Sequence, residues 1–286
     1  MNNIKYFFQF CFIIIIFFIF KIIGFKYSSL IGEKLFQLVG PFFRSRKIIH
    51  SNIKRVFPNI GLKNLKKITY SMWGNYGRVF AEYMFMKDFR SNQLSNNITI
   101  EGKEILDEIR EKNLKVIFIS GHFSNFELMA MQIEKSGINL AAIYRPLNNI
   151  FLNPIMEKIR KKYICKFQIK KGIPGLKELI RLNRKGFSTA LMIDQRVSQG
   201  IKIKFFNDKA FTTTIPAQLA KKFKIPVVPI FIDRSNNTNF KMKVFKPLDF
   251  SDESSIENIT IKLNKILEKM IFDNPNYWIW SHNRWK

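Results

Sequence analysis

The segment Lys115-Val116-Ile117-Phe118-Ile119-Ser120-Gly121-His122-Phe123-Ser124-Asn125-Phe126-Glu127 runs from an apolar strand into a turn that carries one of the chain's three histidines. Within a regular helix, a spacing of five residues turns the chain by about 500° and leaves the two side chains about 140° apart. His122 and Glu127 therefore meet only if His122 lies in the turn and Glu127 in the first helical turn, with Gly121 permitting the bend. In that arrangement Glu127 accepts a hydrogen bond from one imidazole nitrogen and fixes the tautomer. The other nitrogen is left to take a proton from a hydroxyl. No serine or cysteine need be acylated, because a substrate hydroxyl can be the nucleophile. A histidine beside a strand also commonly serves structure alone.

Working outward, short apolar or alternating runs at Ile98–Ile100, Val116–Ile119, Leu140–Ile143, Ala190–Ile193, Ile201–Phe206, Val227–Ile232 and Phe240–Val244 read as strands. Between several of them, 102–112, 124–136, 150–163, 174–185, 213–223 and 255–271 read as helices. This alternation predicts an α/β fold, a mostly parallel central sheet flanked by helices. Such sheets place ligands beyond the carboxyl ends of their strands, where His122, Arg145 and Asp194 fall. Upstream, 61–87 reads as a helix with Met72, Trp73, Tyr76, Val79, Phe80 and Tyr83 on one side. The expected division is an N-terminal membrane-anchor helix (1–25), a helical membrane-proximal segment (26–90) and an α/β domain (91–286).

The anchor rests on Tyr6–Phe25, in which only Gln9 and Lys21 are strongly polar. About twenty residues span roughly 30 Å, the thickness of a hydrocarbon core, and Lys21 lies near one end, where it can snorkel to headgroups. A cleaved signal peptide fits less well, since the run is long and bulky with no small-residue cleavage site after it; a buried apolar helix is the remaining alternative. Lys26, Lys34, Arg44, Arg46 and Lys47 follow the run and only Lys5 precedes it, which places the larger part in the cytoplasm. Residues 27–56 continue as a basic amphipathic stretch that suits either an anionic leaflet or an ordinary core.

The chain of 286 residues has 48 Lys+Arg against 21 Asp+Glu, a net charge of +27, so its partners are expected to be anionic. A mean hydropathy of −0.08 excludes a polytopic membrane protein. Two cysteines and three histidines are too few for a disulfide scaffold or a His- or Cys-based metal site, so no metal and no cofactor is expected.

Gly121–Glu127 resembles the H-x4-D/E box of glycerolipid acyltransferases and, more closely, the G-H-F-G-N-W-E form of the late acyltransferases of lipid A biosynthesis, the lauroyl/myristoyl transferase family. Further segments agree in order: Tyr144-Arg145-Pro146-Leu147-Asn148-Asn149 with a Y-R-P-x-x-N segment, Met192-Ile193-Asp194-Gln195-Arg196 with a D-Q box, and Phe205–Thr213 with an F-F-G-x-x-A-x-T segment. Asn52-Ile53, Phe57-Pro58, Trp73, Gly77-Arg78, Glu82 and Tyr277–Lys286 also fit. Ser124 and Phe126 stand where Gly and Trp are usual, and Asn207 replaces a Gly whose left-handed turn it can partly mimic.

The resemblance implies transfer of a fatty acyl group from acyl carrier protein to a hydroxyl of an acylated, phosphorylated glucosamine disaccharide, at the bacterial inner membrane on its cytoplasmic side. It implies His122 as general base, Glu127 as its orienting partner, and Arg145, Asp194, Arg196 and Asn125 as substrate contacts. Arg284 is a further candidate phosphate contact. Arg145 read alone fits a phosphate or a structural ion pair; Asp194 fits a partner for Arg145 or Arg196, an acceptor hydroxyl, or a turn cap. The C-terminal aromatics around His282 fit core packing or a membrane interface. Alternatives are a 1-acylglycerol-phosphate or glycolipid mannoside acyltransferase, and a basic membrane-tethered binding protein. Binding of nucleic acid is not expected, since the basic residues are dispersed and the aromatics lack RNA-binding spacing.

Overall fold

The computed structural model describes residues 2–250 and 255–286. α1 (Asn2–Ile23) breaks at Gly24, whose φ of +81° only glycine adopts freely, and leads to α2 (Phe25–Val39). α3 (Arg46–Val56), α4 (Leu62–Glu82) and the short α5 (Met86–Arg90) follow. The chain continues through β1 (Ile98–Glu101), α6 (Lys103–Glu111), β2 (Ile117–Ser120), α7 (Glu127–Lys135), β3 (Leu140–Tyr144) and α8 (Leu152–Ile159). It then forms β4 (Phe167–Lys170), α9 (Ile173–Arg184), β5 (Ser188–Met192), a hairpin of β6 (Ile201–Phe205) and β7 (Asp208–Thr212), α10 (Ile215–Phe223), β8 (Val227–Ser235), β9 (Asn239–Val244) and α11 (Ile256–Asp273).

The seven-stranded sheet has the order β1-β9-β8-β2-β5-β3-β4. Every pair is parallel except β8–β9. β2 lies near the centre with all four residues buried, as a parallel strand covered on both faces requires. This is the α/β architecture the alternation predicts. Two strands escape that reading. β4 is a four-residue edge strand of mixed polarity, and β7 pairs with β6 in an antiparallel ribbon separate from the main sheet. In that ribbon Phe206 takes the left-handed conformation (φ +55°), not Asn207.

The helix expected from 124 begins only at Glu127. Residues before it are held in a turn by the C-terminal segment: Phe123 bridges Trp278, and Ser124 N–H donates to the Tyr277 carbonyl at 3.2 Å. Ser124, not Gly121, makes the bend, at φ +41°. Gly121 is needed for close approach, since a Cβ there would lie 2.9 Å from the Phe123 ring and 3.0 Å from Leu267.

α2 and α4 cross at Gly32 and Gly77, where a methyl on either glycine would land on the other's carbonyl. Behind this crossing runs a buried polar spine. Arg234 grips Glu82 with two hydrogen bonds of 2.6 and 3.0 Å, and Ser29 and Asn125 each donate to the same carboxylate at 2.8 Å. Burying this pair is tolerable only because both oxygens are satisfied.

α1 is long and apolar enough to cross a membrane over Asn3–Ile23. One side packs on the body: Phe17 and Phe20 are buried, with the Phe17 ring 4.9 Å from Phe80, and Phe7 stands 5.6 Å from Phe151. The other side exposes Phe8, Phe12, Ile15, Phe18 and Ile22. Lys21 does not reach out as a free snorkelling cation; its ammonium pairs with Asp88 at 2.7 Å. The C-terminal aromatics belong to the core: Trp278 and Trp280 are fully buried.

Candidate active site

β2 and β5 are paired in parallel register, Ser120 opposite Met192. The chain leaves both at one edge of the sheet, and the residues two positions further on, His122 and Asp194, come together. Asp194 Oδ2 accepts from the His122 backbone N–H at 2.8 Å and from Trp278 Nε1–H at 2.9 Å. Asp194 Oδ1 lies 2.8 Å from His122 Nδ1. Burial alone would raise the Asp194 carboxyl, but His122 and these hydrogen bonds hold it at about 2. A carboxylate that stays ionised is acceptor-only, so Nδ1 carries the proton and Nε2 of the neutral ring is the basic nitrogen. Nε2 has no hydrogen-bond partner among the described residues, and the ring forms part of a cavity wall. Burial works against charging the imidazole, yet Asp194, helped by Glu127, outweighs it and raises the pKa above its ordinary 6.5.

The expected hydrogen bond from the His122 ring to Glu127 is replaced by this one to Asp194. Glu127 does sit in the first turn of α7, but its Oε1 is taken by Tyr83 Oη–H and by Arg160, whose Nη2 and Nε donate at 2.7 and 3.0 Å. Asp194 correspondingly holds the histidine and neither Arg145 nor Arg196. The equal offset of the two residues beyond their strands is a signal the sequence carried.

No sequence motif marks Arg160. It opens a single π-helical turn, Arg160–Ile164, after α8, the irregularity that re-aims a side chain at many functional sites. Its side chain is 12% exposed, it borders the cavity, and its Nη1 is buried with no hydrogen-bond partner. A buried guanidinium N–H without a partner, on a side chain that lines the same cavity as His122, is suited to an oxygen that gains negative charge.

The cavity has a volume of about 910 Å³. Phe118, Met129, Ile133, Ala142 and Ala190 give it an apolar interior, and Arg145, Lys171 and Arg196 give it a cationic rim. Arg145 is exposed, and burial together with Arg145 pulls the Lys171 ammonium below its ordinary value. Arg196 donates its backbone N–H to His282 Nε2 at 2.9 Å and its Nε–H to the Lys286 carbonyl at 3.0 Å. Burial lowers His282 to about 4, so it is neutral and serves as that acceptor.

Two expected contacts lie elsewhere. Asn125 is fully buried, and its Nδ2–H₂ donates to Glu82, so it ties the histidine loop to the polar spine and does not face the cavity. Arg284 is also fully buried; it donates to the Phe211 carbonyl and to Thr212 Oγ1, and its guanidinium stacks 4.6 Å from the Phe205 ring centroid. Among the described residues no cluster of three His, Cys, Asp or Glu is placed to hold a metal ion.

A family model described as bacterial lipid A biosynthesis acyltransferase matches residues 2–286. The chain belongs to this family. Among its relatives are a lipid A biosynthesis acyltransferase 2 of Shigella flexneri, 24% identical over 63% of this chain and 58% of its own length, and a lipid A biosynthesis myristoyltransferase of Escherichia coli, 23% identical over 85% of this chain and 75% of its own. A lipid A biosynthesis lauroyltransferase of Escherichia coli is 23% identical over 90% of this chain and 84% of its own. The chain thus spans less than two thirds of the first of these and more of the other two. A crystal structure of a 1-acyl-sn-glycerophosphate acyltransferase from Thermotoga maritima is similar at a TM-score of 0.43 and 15% identity, covering 90% of this chain and 100% of that one.

Proposed function

We propose that the protein transfers a fatty acyl group from an acyl carrier protein thioester to a hydroxyl of an acylated, phosphorylated glucosamine disaccharide, a lipid A precursor. The observation that carries this reading is His122, with Nδ1 held by an ionised Asp194 and Nε2 unengaged at the wall of a cavity with an apolar interior and a cationic rim. Membership of the lipid A acyltransferase family supports the reaction class and an acceptor of the lipid A type.

In this reading Nε2 takes the proton from the acceptor hydroxyl as its oxygen attacks the thioester carbonyl carbon. The carbonyl oxygen becomes an oxyanion, and the open Nη1–H of Arg160 is its donor. Collapse re-forms the carbonyl and breaks the C–S bond. The departing thiolate takes the proton from the imidazolium, leaving His122 neutral for the next cycle. Asp194 stabilises the transient imidazolium, and Glu127 holds Arg160 in place. The apolar interior takes the acyl chain; Arg145, Arg196 and Lys171 face the phosphates. α1 associates with the bacterial inner membrane, with the basic remainder on the cytoplasmic side.

The test is a competition between substrates offered to the purified full chain. Acyl carrier thioester and acyl-coenzyme A are supplied with either the disaccharide lipid or lysophosphatidic acid. The reading predicts acylated disaccharide from the carrier thioester, with unacylated carrier protein as inhibitor. Acylation of lysophosphatidic acid alone would move the protein to glycerolipid chemistry, and equal use of both donors would remove the carrier protein as specific partner.

A further inference from the structure

Between Glu33 and Glu82 the chain carries ten Lys and Arg and no acidic residue. Among the described residues, two of the ten have an acidic partner, Arg78 with Glu33 and Arg55 with Asp208. Among the described residues, Arg44, Arg46, Lys63, Lys66 and Lys67 have no acidic partner within ion-pair distance, and all five surround one groove of about 510 Å³ formed by the end of α2 and by α3 and α4. Its inner surface is apolar and aromatic, with Pro41, Ile49 and Trp73. His50 also borders it, and burial with Arg46 and Lys54 pushes that imidazole below its ordinary pKa, as expected beside uncompensated positive charge. Phe42 and Phe43, 87% and 69% exposed, stand between Pro41 and Arg44 of the groove, and Leu38 just before them is 72% exposed. Arg44 borders both this groove and the catalytic cavity.

We propose that this groove binds the phosphate of an anionic membrane lipid, whose acyl chains run out past Leu38, Phe42 and Phe43 into the bilayer. Lys and Arg heads gather on the phosphate oxygens, while the apolar inner surface accepts the glycerol and the start of the chains. A folded acidic protein is disfavoured as occupant because the large exposed apolar side chains at the rim match hydrocarbon and not a charged protein surface. Because Arg44 is shared, a lipid held here fixes the mouth of the catalytic cavity toward the leaflet.

The test titrates the purified full chain in neutral detergent with dioctanoyl phosphatidic acid, dioctanoyl phosphatidylcholine and inorganic phosphate, with bound ligand read by native mass spectrometry. The comparison is Lys63→Ala/Lys66→Ala/Lys67→Ala against Lys103→Ala/Lys177→Ala/Lys185→Ala, three exposed lysines outside the groove. All are solvated positions, so both variants should fold. The expected result is phosphatidic acid retained by the wild type, held about tenfold or more less tightly by the groove variant, and unaffected in the control. Equal affinity for phosphatidylcholine, or a groove variant that binds as the wild type does, overturns the proposal. Saturation by inorganic phosphate at the same concentration would make this a free-phosphate site. Displacement of the lipid by acidic acyl carrier protein would make it a protein-docking surface. Either outcome also overturns it.

Discussion

Replacing Asp194 with Asn tests the tautomer argument with little change of shape. The side chain is 2% exposed, Asn matches its volume, and its carbonyl oxygen can still accept from Trp278 Nε1–H. The substitution removes the anion beside Nδ1. It also permits an amide N–H to face Nδ1, which would move the ring proton to Nε2 and abolish the base. General-base catalysis contributes about a hundredfold to ten-thousandfold, and the loss of a carboxylate that orients a histidine falls at the upper end. That range corresponds to about 2.7–5.4 kcal/mol of transition-state stabilisation. A second readout is pH. The base works when neutral, so the wild type should lose activity as pH falls through the raised pKa of His122, above 6.5. Without Asp194, burial acts with less opposition and the pKa drops, so the residual activity should persist to lower pH. The assay is kcat and KM of purified protein on dispersed substrate across pH 5 to 9. A kcat within about threefold of wild type, or an unmoved acid limb, would refute the reasoning.

Other outcomes follow from the same geometry. Arg160→Gln should cost about a hundredfold to a thousandfold in kcat, as for one lost oxyanion donor, and should raise the acid limb, because Arg160 depresses the imidazole pKa; a change confined to KM would contradict that role. Ser124→Gly removes a left-handed serine and a buried hydroxyl without a partner, so after the flexibility cost of glycine it should stabilise by about 1 kcal/mol, read as a Tm rise of about 2 °C. Gly77→Leu should prevent α2 and α4 from meeting and leave little soluble folded protein, whereas Gly61→Ala at the start of α4, with nothing within 4 Å of a new Cβ, should leave Tm nearly unchanged. Deleting residues 2–23 exposes the surface that Phe17 and Phe20 cover, a loss of about 3–6 kcal/mol, so the truncated protein should melt lower even in detergent instead of merely leaving the membrane.

The order of strands and helices was legible because a change of hydrophobic period marks each element, and His122 because it follows a buried strand directly. Residues whose roles depend on distant chain were not legible. Glu127 opens the helix that follows the His122 turn, but that position says nothing of Arg160 and Tyr83, which reach it from α8's end and from just beyond α4. Arg284 reads as a phosphate contact until the β6–β7 ribbon and Phe205 close over it. Asn125 reads as part of a catalytic box, yet its amide completes the shell around Glu82. Trp278 sits in an aromatic cluster that suits a core or a membrane interface, with the core the better fit. What decides it is an indole N–H aimed at Asp194.

The central claim is that His122 removes a proton from a hydroxyl acceptor during acyl transfer. Its most direct test is the mass of the lipid product formed by purified wild type and His122→Ala from acyl carrier thioester and the phosphorylated disaccharide lipid, at equal folded concentration checked by Tm. The account predicts one added acyl mass with the wild type and a rate lower by about a hundredfold or more with the variant. Transfer by His122→Ala at close to the wild-type rate would contradict it.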